Sequence, residues 1–93
     1  MKYDIVATSR FKGELKLIKK RNKDLEKLRE VVIKLANNEK LEERYKDHQL
    51  INNQRFVDCR ECHIESDWLL VYRINKDKLI LLLVETGSHS DLF

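Results

Sequence analysis

The sequence predicts an α+β fold in the order β-α-α-β-β-β, a mostly antiparallel sheet packed on a two-helix hairpin. Three observations lead there. Apolar residues recur at helical spacing only in the first forty or so positions, and apolar runs of strand length fill positions 56–84. A short polar connector, Asn75-Lys76-Asp77-Lys78, joins the last two runs as a hairpin turn does. Helical and strand patterns that segregate along the chain point to layers, with helices collected on one side of a sheet. The chain of 93 residues has room for one core, so residues 1–93 are read as a single domain.

The elements follow in order. In Lys2–Thr8, Tyr3, Ile5 and Ala7 alternate with Lys2, Asp4 and Val6, the period of a strand. Thr8 or Ser9 offers a side-chain oxygen to the free amides of a starting helix, and Phe11, Leu15 and Ile18 then share one helical face. Gly13 costs that helix about 1 kcal/mol relative to Ala. Asn22 is the predicted cap of a second helix running to about Asn37, with Leu25, Leu28, Val31, Val32 and Leu35 as its apolar stripe. Residues 38–55 are polar, anchored by Leu41, Tyr45 and Leu50, with a turn at Asn52-Asn53. Strands are expected over Phe56–Glu65, Trp68–Asn75 and Leu79–Val84. The last two are unbroken apolar runs, as in strands covered on both faces.

Composition narrows the function classes. Hydrophobic residues make up 42% and charged residues 38%, which suits a folded domain with a densely charged surface. The net charge of +3 is too small to signal nucleic-acid binding alone. Its distribution says more: Arg10, Lys12, Lys16, Lys19, Lys20, Arg21 and Lys23 fall in one stretch with a single acid, Glu14. Neither a signal-peptide pattern nor an apolar run of membrane-spanning length is present, so a cytoplasmic protein without membrane association is expected, with Cys59 and Cys62 reduced.

Cys59-Arg60-Glu61-Cys62-His63 matches the c-type haem attachment signature letter for letter. Haem attachment of that kind belongs to exported chains with a second axial ligand, and here the sole Met is the first residue. A zinc site lacks a second ligand pair at the usual spacing. The segment is therefore read as a strand with Cys62 as a small buried hydrophobe, and no cofactor or metal is expected. In a strand Cys62 and Ile64 share one face, while Glu61 and His63 share the other. His48, His63 and His89, the only histidines, come from three separate regions, each near a carboxylate. Imidazoles titrate near neutrality and suit proton transfer. RNA cleavage by its own 2′-hydroxyl needs a base, an acid and donors for the phosphate, and no metal. Phe93 is either a packing plug or an exposed ring that stacks on a base.

Three blocks now stand in order: Asp47-His48-x-Leu50, then Arg60-Glu61-Cys62-His63-Ile64 with Asp67-Trp68-Leu69-Leu70-Val71-Tyr72, then Thr86-Gly87-Ser88-His89-Ser90-Asp91-Leu92-Phe93. Together they resemble the YafQ branch of the RelE toxin superfamily, and the resemblance covers the whole chain. It implies a microbial-RNase-like α+β fold and metal-independent cleavage of mRNA in the ribosomal A site. It implies further a cognate antitoxin that neutralises the toxin, and operator DNA bound only through the antitoxin complex. The functional positions it implies are His48, Glu61, His63, Asp67, His89 and Phe93. His89 stands as general acid, His48 or His63 as base, and Asp67 with Glu61 as orienting carboxylates. Arg60 belongs to the same block, although alternation turns it away from Glu61 and His63. Lys12, Lys16, Lys19, Lys20 and Arg21 become candidates for ribosomal RNA phosphates, beside the plainer reading of a solvated helix face.

The chain departs from the family pattern in three places. Glu85 stands where the family usually has Arg, Ser66 where it often has Pro, and Asn52 where it has Gly. The reversal at Glu85 should weaken catalysis unless the carboxylate swings away or pairs with a nearby Arg or Lys. It also supports an alternative, an inactivated toxin that keeps antitoxin binding and operon autoregulation. A ParE-like poison of DNA gyrase is the other alternative, and the three histidines argue against it.

Overall fold

In the computed structural model, which describes residues 1–93, the chain opens with strand β1 (Asp4–Ala7) and helices α1 (Ser9–Lys20) and α2 (Leu25–Ala36). A 3-10 turn at Glu43–Tyr45 leads to β2 (His48–Gln49), β3 (Arg60–Glu65), β4 (Trp68–Asn75), β5 (Ile80–Gly87) and a terminal helix α3 (His89–Leu92). The sheet order is β1-β5-β4-β3-β2. All pairings are antiparallel except that of β1 with β5.

Local chemistry sets the boundaries. Thr8 caps α1, its hydroxyl accepting from the Phe11 amide at 3.0 Å. Asn22 is not the cap of α2. It adopts φ 59°, its amide returns to the Lys19 carbonyl at 3.1 Å, and it closes α1, a left-handed conformation that Asn tolerates better than most residues. Asp24 caps α2 instead, accepting from the Glu26 amide at 3.0 Å. Asn38, at φ 62°, ends α2 in the same left-handed way.

The strand expected from Phe56 begins only at Arg60. The Asn53 side chain accepts from the amides of Arg55 and Phe56 at 3.0 and 3.1 Å, and Asp58 takes φ 56°, so residues 53–59 coil rather than extend. β5 starts at Ile80, since Leu79 has φ 54°, and runs on through Gly87. Three elements have no counterpart in the sequence reading: the 3-10 turn at Glu43–Tyr45, the two-residue β2 and the single-turn α3.

Each face of the sheet carries its own core. On the helical face Phe11, Ile18, Leu28, Val31 and Leu35 pack on Cys62, Ile64, Trp68, Leu70, Tyr72, Leu81 and Leu83. On the other face Phe56, Cys59, Leu69, Val71 and Leu92 form a smaller cluster under the 50–59 loop and α3. Trp68 through Tyr72 are fully buried between the two, as expected of a doubly covered strand. Cys59 and Cys62 are free thiols in opposite clusters, and burial pushes both thiols up, so neither is a ready thiolate.

Beyond Ala7 the outer edge of β5 has no strand partner, and α1 closes it. The Thr8 hydroxyl donates to the Val84 carbonyl at 2.7 Å, and Glu14 Oε1 accepts from the Thr86 amide at 3.1 Å. No helix is long and apolar enough to cross a membrane.

Candidate active site

Strand register assembles the site. His48 on β2 lies opposite Glu61 on β3, which lies opposite Val71 on β4, which lies opposite Glu85 on β5. Paired residues point to the same side of a sheet, so one row carries His48, Glu61 and Glu85 on the face away from α2. The next row runs His63, Leu69, Gly87. His89 follows two residues after Gly87, and α3 folds it back over this face.

Glu61 is the buried centre. Its Oε1 lies 3.8 Å from His48 Nε2 and 3.5 Å from His63 Nε2. The His63 ring meets the His89 ring at 5.7 Å, edge to face. The carbonyl of Lys46 is 2.7 Å from His48 Nδ1; a carbonyl only accepts, so Nδ1 donates and Nε2 is the nitrogen that faces the site. Asp67 Oδ1 accepts from the His89 backbone amide at 3.0 Å and from its Nδ1 at 2.9 Å, which turns His89 Nε2 outward. Those two bonds, the backbone one foremost, hold the Asp67 carboxyl below its ordinary value.

The short α3 is fixed by polar contacts. Ser88 and Asp91 form a reciprocal capping box, the Asp91 carboxylate accepting from the Ser88 amide at 2.9 Å. Arg21 grips the same carboxylate at 2.7 and 3.3 Å and, with the Ser88 bonds, holds it well below the carboxylate range. Gly87 is required by close approach: a Cβ there would lie 2.9 Å from Asp91 Cβ and Oδ2. Phe93 is 56% exposed, its ring 5.6 Å from Phe56 and 6.4 Å from His89, so it is no packing plug.

Of the residues singled out from sequence, His48, Glu61, His63, Asp67, His89 and Phe93 converge. Arg60 does not: it points to the helical face, its guanidinium 3.3 Å from the Asp47 carboxylate, which also accepts from the Tyr72 hydroxyl at 2.6 Å. The basic set divides. Lys12, Lys16, Lys19 and Lys20 form an exposed outward stripe of α1, whereas Arg21 is committed to Asp91. The side chains that could hold a metal ion are Glu61, His63 and His89, whose ligand atoms lie within 4.8 Å of one another.

Glu85 pairs with arginines, one of the outcomes left open from the sequence, although the sequence did not say which ones. This carboxylate is buried on the site face, with both oxygens 2.7 Å from one nitrogen of Arg55 and one of them 3.0 Å from Arg10 Nε. Glu14 stands beside it, its pKa raised to about 7 by burial first and then by the shared hydrogen bond with Glu85. Arg10, Glu14 and Arg21 fall at i, i+4 and i+11 of α1, and that spacing was the signal for a polar stripe turned toward β5 and the tail.

A helix-backed sheet whose other face gathers three imidazoles, the carboxylates of Glu61, Asp67 and Glu85 and an exposed ring has the groups that proton transfer on a ligand across its surface would need. Residues 3–93 match the family described as bacterial toxin of type II toxin-antitoxin system, YafQ, and the chain belongs to that family. It is 40% identical over 91 residues to the mRNA interferase toxin YafQ of Escherichia coli BL21-DE3, covering 97% of this chain and 95% of that protein. A metal-bound toxin from Helicobacter pylori superposes with a TM-score of 0.91 at 43% identity, covering 98% of this chain and 99% of the other. E. coli YafQ in its complex with DinJ superposes with a TM-score of 0.86 at 38% identity, covering 98% of each chain.

Proposed function

We propose that this toxin is an mRNA endoribonuclease that acts on the ribosome and is silenced by a cognate antitoxin. The observation that carries the reading is a pair of imidazoles on one sheet face, each anchored through Nδ1 with Nε2 left free, one on a neutral carbonyl and the other on a carboxylate. His48 Nδ1 is occupied by a carbonyl, leaving Nε2 to accept a proton, and His89 Nδ1 is occupied by Asp67, leaving Nε2 to deliver one.

In this reading His48 takes the proton of the 2′-hydroxyl as its oxygen attacks the adjacent phosphorus. His89 protonates the 5′-oxygen as the P–O5′ bond breaks, giving a 2′,3′-cyclic phosphate and a free 5′-hydroxyl. His63 is only 16% exposed at its side chain and packs between Glu61 and His89, which suits positioning better than proton exchange with RNA. Glu61 stabilises the charge that His48 acquires. Phe93 offers its face to a base flanking the cleaved bond, a contact worth about 1–3 kcal/mol in other RNA-binding proteins.

The openness of the site supports ribosome dependence. None of the surface cavities is lined by more than one of the three histidines, so the protein alone provides little to align the 2′-oxygen with the leaving group. Orientation by a larger assembly supplies what a pocket otherwise would. The Lys12, Lys16, Lys19 and Lys20 stripe is assigned to ribosomal RNA phosphates, and ribosome binding that does not weaken with added salt would remove that assignment. The antitoxin covers the toxin by analogy with the DinJ complex of the E. coli relative, and operator DNA is met only through that complex.

The test is cleavage of a defined mRNA on programmed ribosomes by the wild type, His48→Ala, His63→Ala and His89→Ala. Ribosome-dependent cleavage that ends in a cyclic phosphate and is lost in His48→Ala and His89→Ala supports the assignment. Full activity in His89→Ala removes it as the acid, and an uncut mRNA with every protein refutes the reading.

A further inference from the structure

Breaking a phosphodiester requires donors for the charge that builds on the non-bridging oxygens. The carboxylates of the site only accept, and two of its imidazoles are given to proton transfer. Arg60 lies on the opposite face with Asp47 and Tyr72, Arg21 is bound to Asp91, and Arg73 donates to the Val57 carbonyl. Lys23 and Lys27 are both engaged by Glu65. Arg55 is differently placed. One terminal nitrogen donates to both oxygens of Glu85 at 2.7 Å, and the other to the Leu92 carbonyl at 2.7 Å. A guanidinium has five N–H donors, so these anchors leave others free, and the side chain remains 41% exposed.

The anchors fix where those donors stand. The guanidinium carbon lies 4.9 Å from the Phe56 ring centre, Phe56 meets Phe93 at 5.6 Å, and Phe93 lies 6.4 Å from His89. Arg55 is thus packed into the same aromatic array as the acid. Glu85, which holds it, occupies the sheet row of Glu61 and His48. Glu85 is itself buried, and a buried carboxylate is retained only with partners. Arg10 supplies a second cation at 3.0 Å, so Arg55 is not the only charge that neutralises it.

We propose that Arg55 is a further catalytic residue, clamped by Glu85 and the Leu92 carbonyl at the rim of the histidine cluster, where it donates to a non-bridging oxygen of the scissile phosphate. Glu85 is then a positioning residue rather than a lesion. Arg55 gives hydrogen bonds and exchanges no proton; the protons move through the imidazoles as above. The proposal rests on the RNA-cleavage reading.

The experiment measures kcat and KM on programmed ribosomes for wild type, His89→Ala, Arg55→Ala and Arg55→Lys, with and without millimolar guanidinium ion, alongside Tm for each. Removing one transition-state donor should lower kcat by about a hundredfold. Arg55→Ala is expected to show that loss with KM nearly unchanged and to recover in part with guanidinium, which refills the clamp. Arg55→Lys keeps the charge but not the fork, so it should fold as wild type and fall between the two. If Arg55→Ala fails to fold, a deficit in kcat alone for Arg55→Lys carries the proposal, and wild-type kcat there overturns it. Wild-type activity in Arg55→Ala, a loss confined to KM, or a loss that guanidinium does not relieve assigns Arg55 to bracing the tail and also overturns it. Those outcomes, with His89→Ala inactive, leave the RNase reading standing. A wild type as inert as His89→Ala takes both down.

Discussion

Thr86 is where the stability of the sheet and the placement of the tail meet. The Trp68 indole N–H donates to its hydroxyl at 3.0 Å, and the hydroxyl donates to the Leu69 carbonyl at 2.7 Å, all fully buried. Thr86→Val keeps the shape and removes both bonds. An indole N–H left buried without an acceptor costs about 1–3 kcal/mol, and the lost hydroxyl bond adds about 1 kcal/mol net. The sum, roughly 2–4 kcal/mol, is a large part of the roughly 5–14 kcal/mol expected for a chain of this length. It corresponds to a Tm lowered by roughly 10–30 °C. Thr86→Ser retains the hydroxyl and loses one methyl, at about 1 kcal/mol. The chain has a single tryptophan, and it is this one, so urea unfolding followed by Trp68 emission reports the change directly. A Val variant within about 0.5 kcal/mol of wild type, or a Ser variant as unstable as Val, would refute the argument.

Three further outcomes are expected. Gly13→Ala should raise stability by up to about 1 kcal/mol without altering cleavage, since nothing lies within 4 Å of the added Cβ; calorimetry checks it. Gly87→Ala should push Asp91 out of its capping box, lower stability by about 1 kcal/mol, and depress mRNA cleavage far more than Tm because His89 rides on that turn. Glu14 has a folded-state pKa raised from 4.5 to about 7, so the folded chain holds a proton that the unfolded chain releases. Stability should therefore fall as pH rises from about 4.5 to about 7, and Glu14→Gln should remove that slope in a Tm-against-pH series. Glu65, Asp67 and Asp91, whose values are lowered, contribute the opposite slope only in more acidic solution.

The sheet was legible because its signals are local and redundant. The unbroken run from Trp68 to Tyr72, of strand length and rich in apolar residues, suggests a strand buried on both faces, and the alternation at Arg60–Ile64 placed Glu61 beside His63 and turned Arg60 away. The caps were less legible. Asn22 and Asp24 both suit a helix start, and the choice between them depends on how α1 ends, where Asn22 is used at φ 59°. β2 is two residues long and α3 four, too short for any periodicity to show. The histidines could be named but not joined, since their convergence depends on the register of β2, β3 and β4 and on a turn after β5. Glu85 resisted for another reason. That a charge within this apolar run could pair with an Arg or Lys was readable, but which ones was not, because its partners lie 30 and 75 residues away.

The division of the basic run on α1 has a physical consequence. Arg10 and Arg21 bind Glu85 and Asp91, two carboxylates that flank the Thr86–Ser90 segment, while Glu14 holds the Thr86 amide between them. That side of the helix therefore acts as a ruler for the tail, setting where His89 begins. The lysines on the outward side have no such partners and remain available to phosphates. A charge removed from the inner stripe is expected to displace the His89 turn, whereas one removed from the outer stripe should leave that turn in place and, on the proposed function, alter encounter with RNA and its dependence on salt. Net charge alone cannot separate these roles, because a cation bound to its own carboxylate contributes geometry and a free cation contributes field.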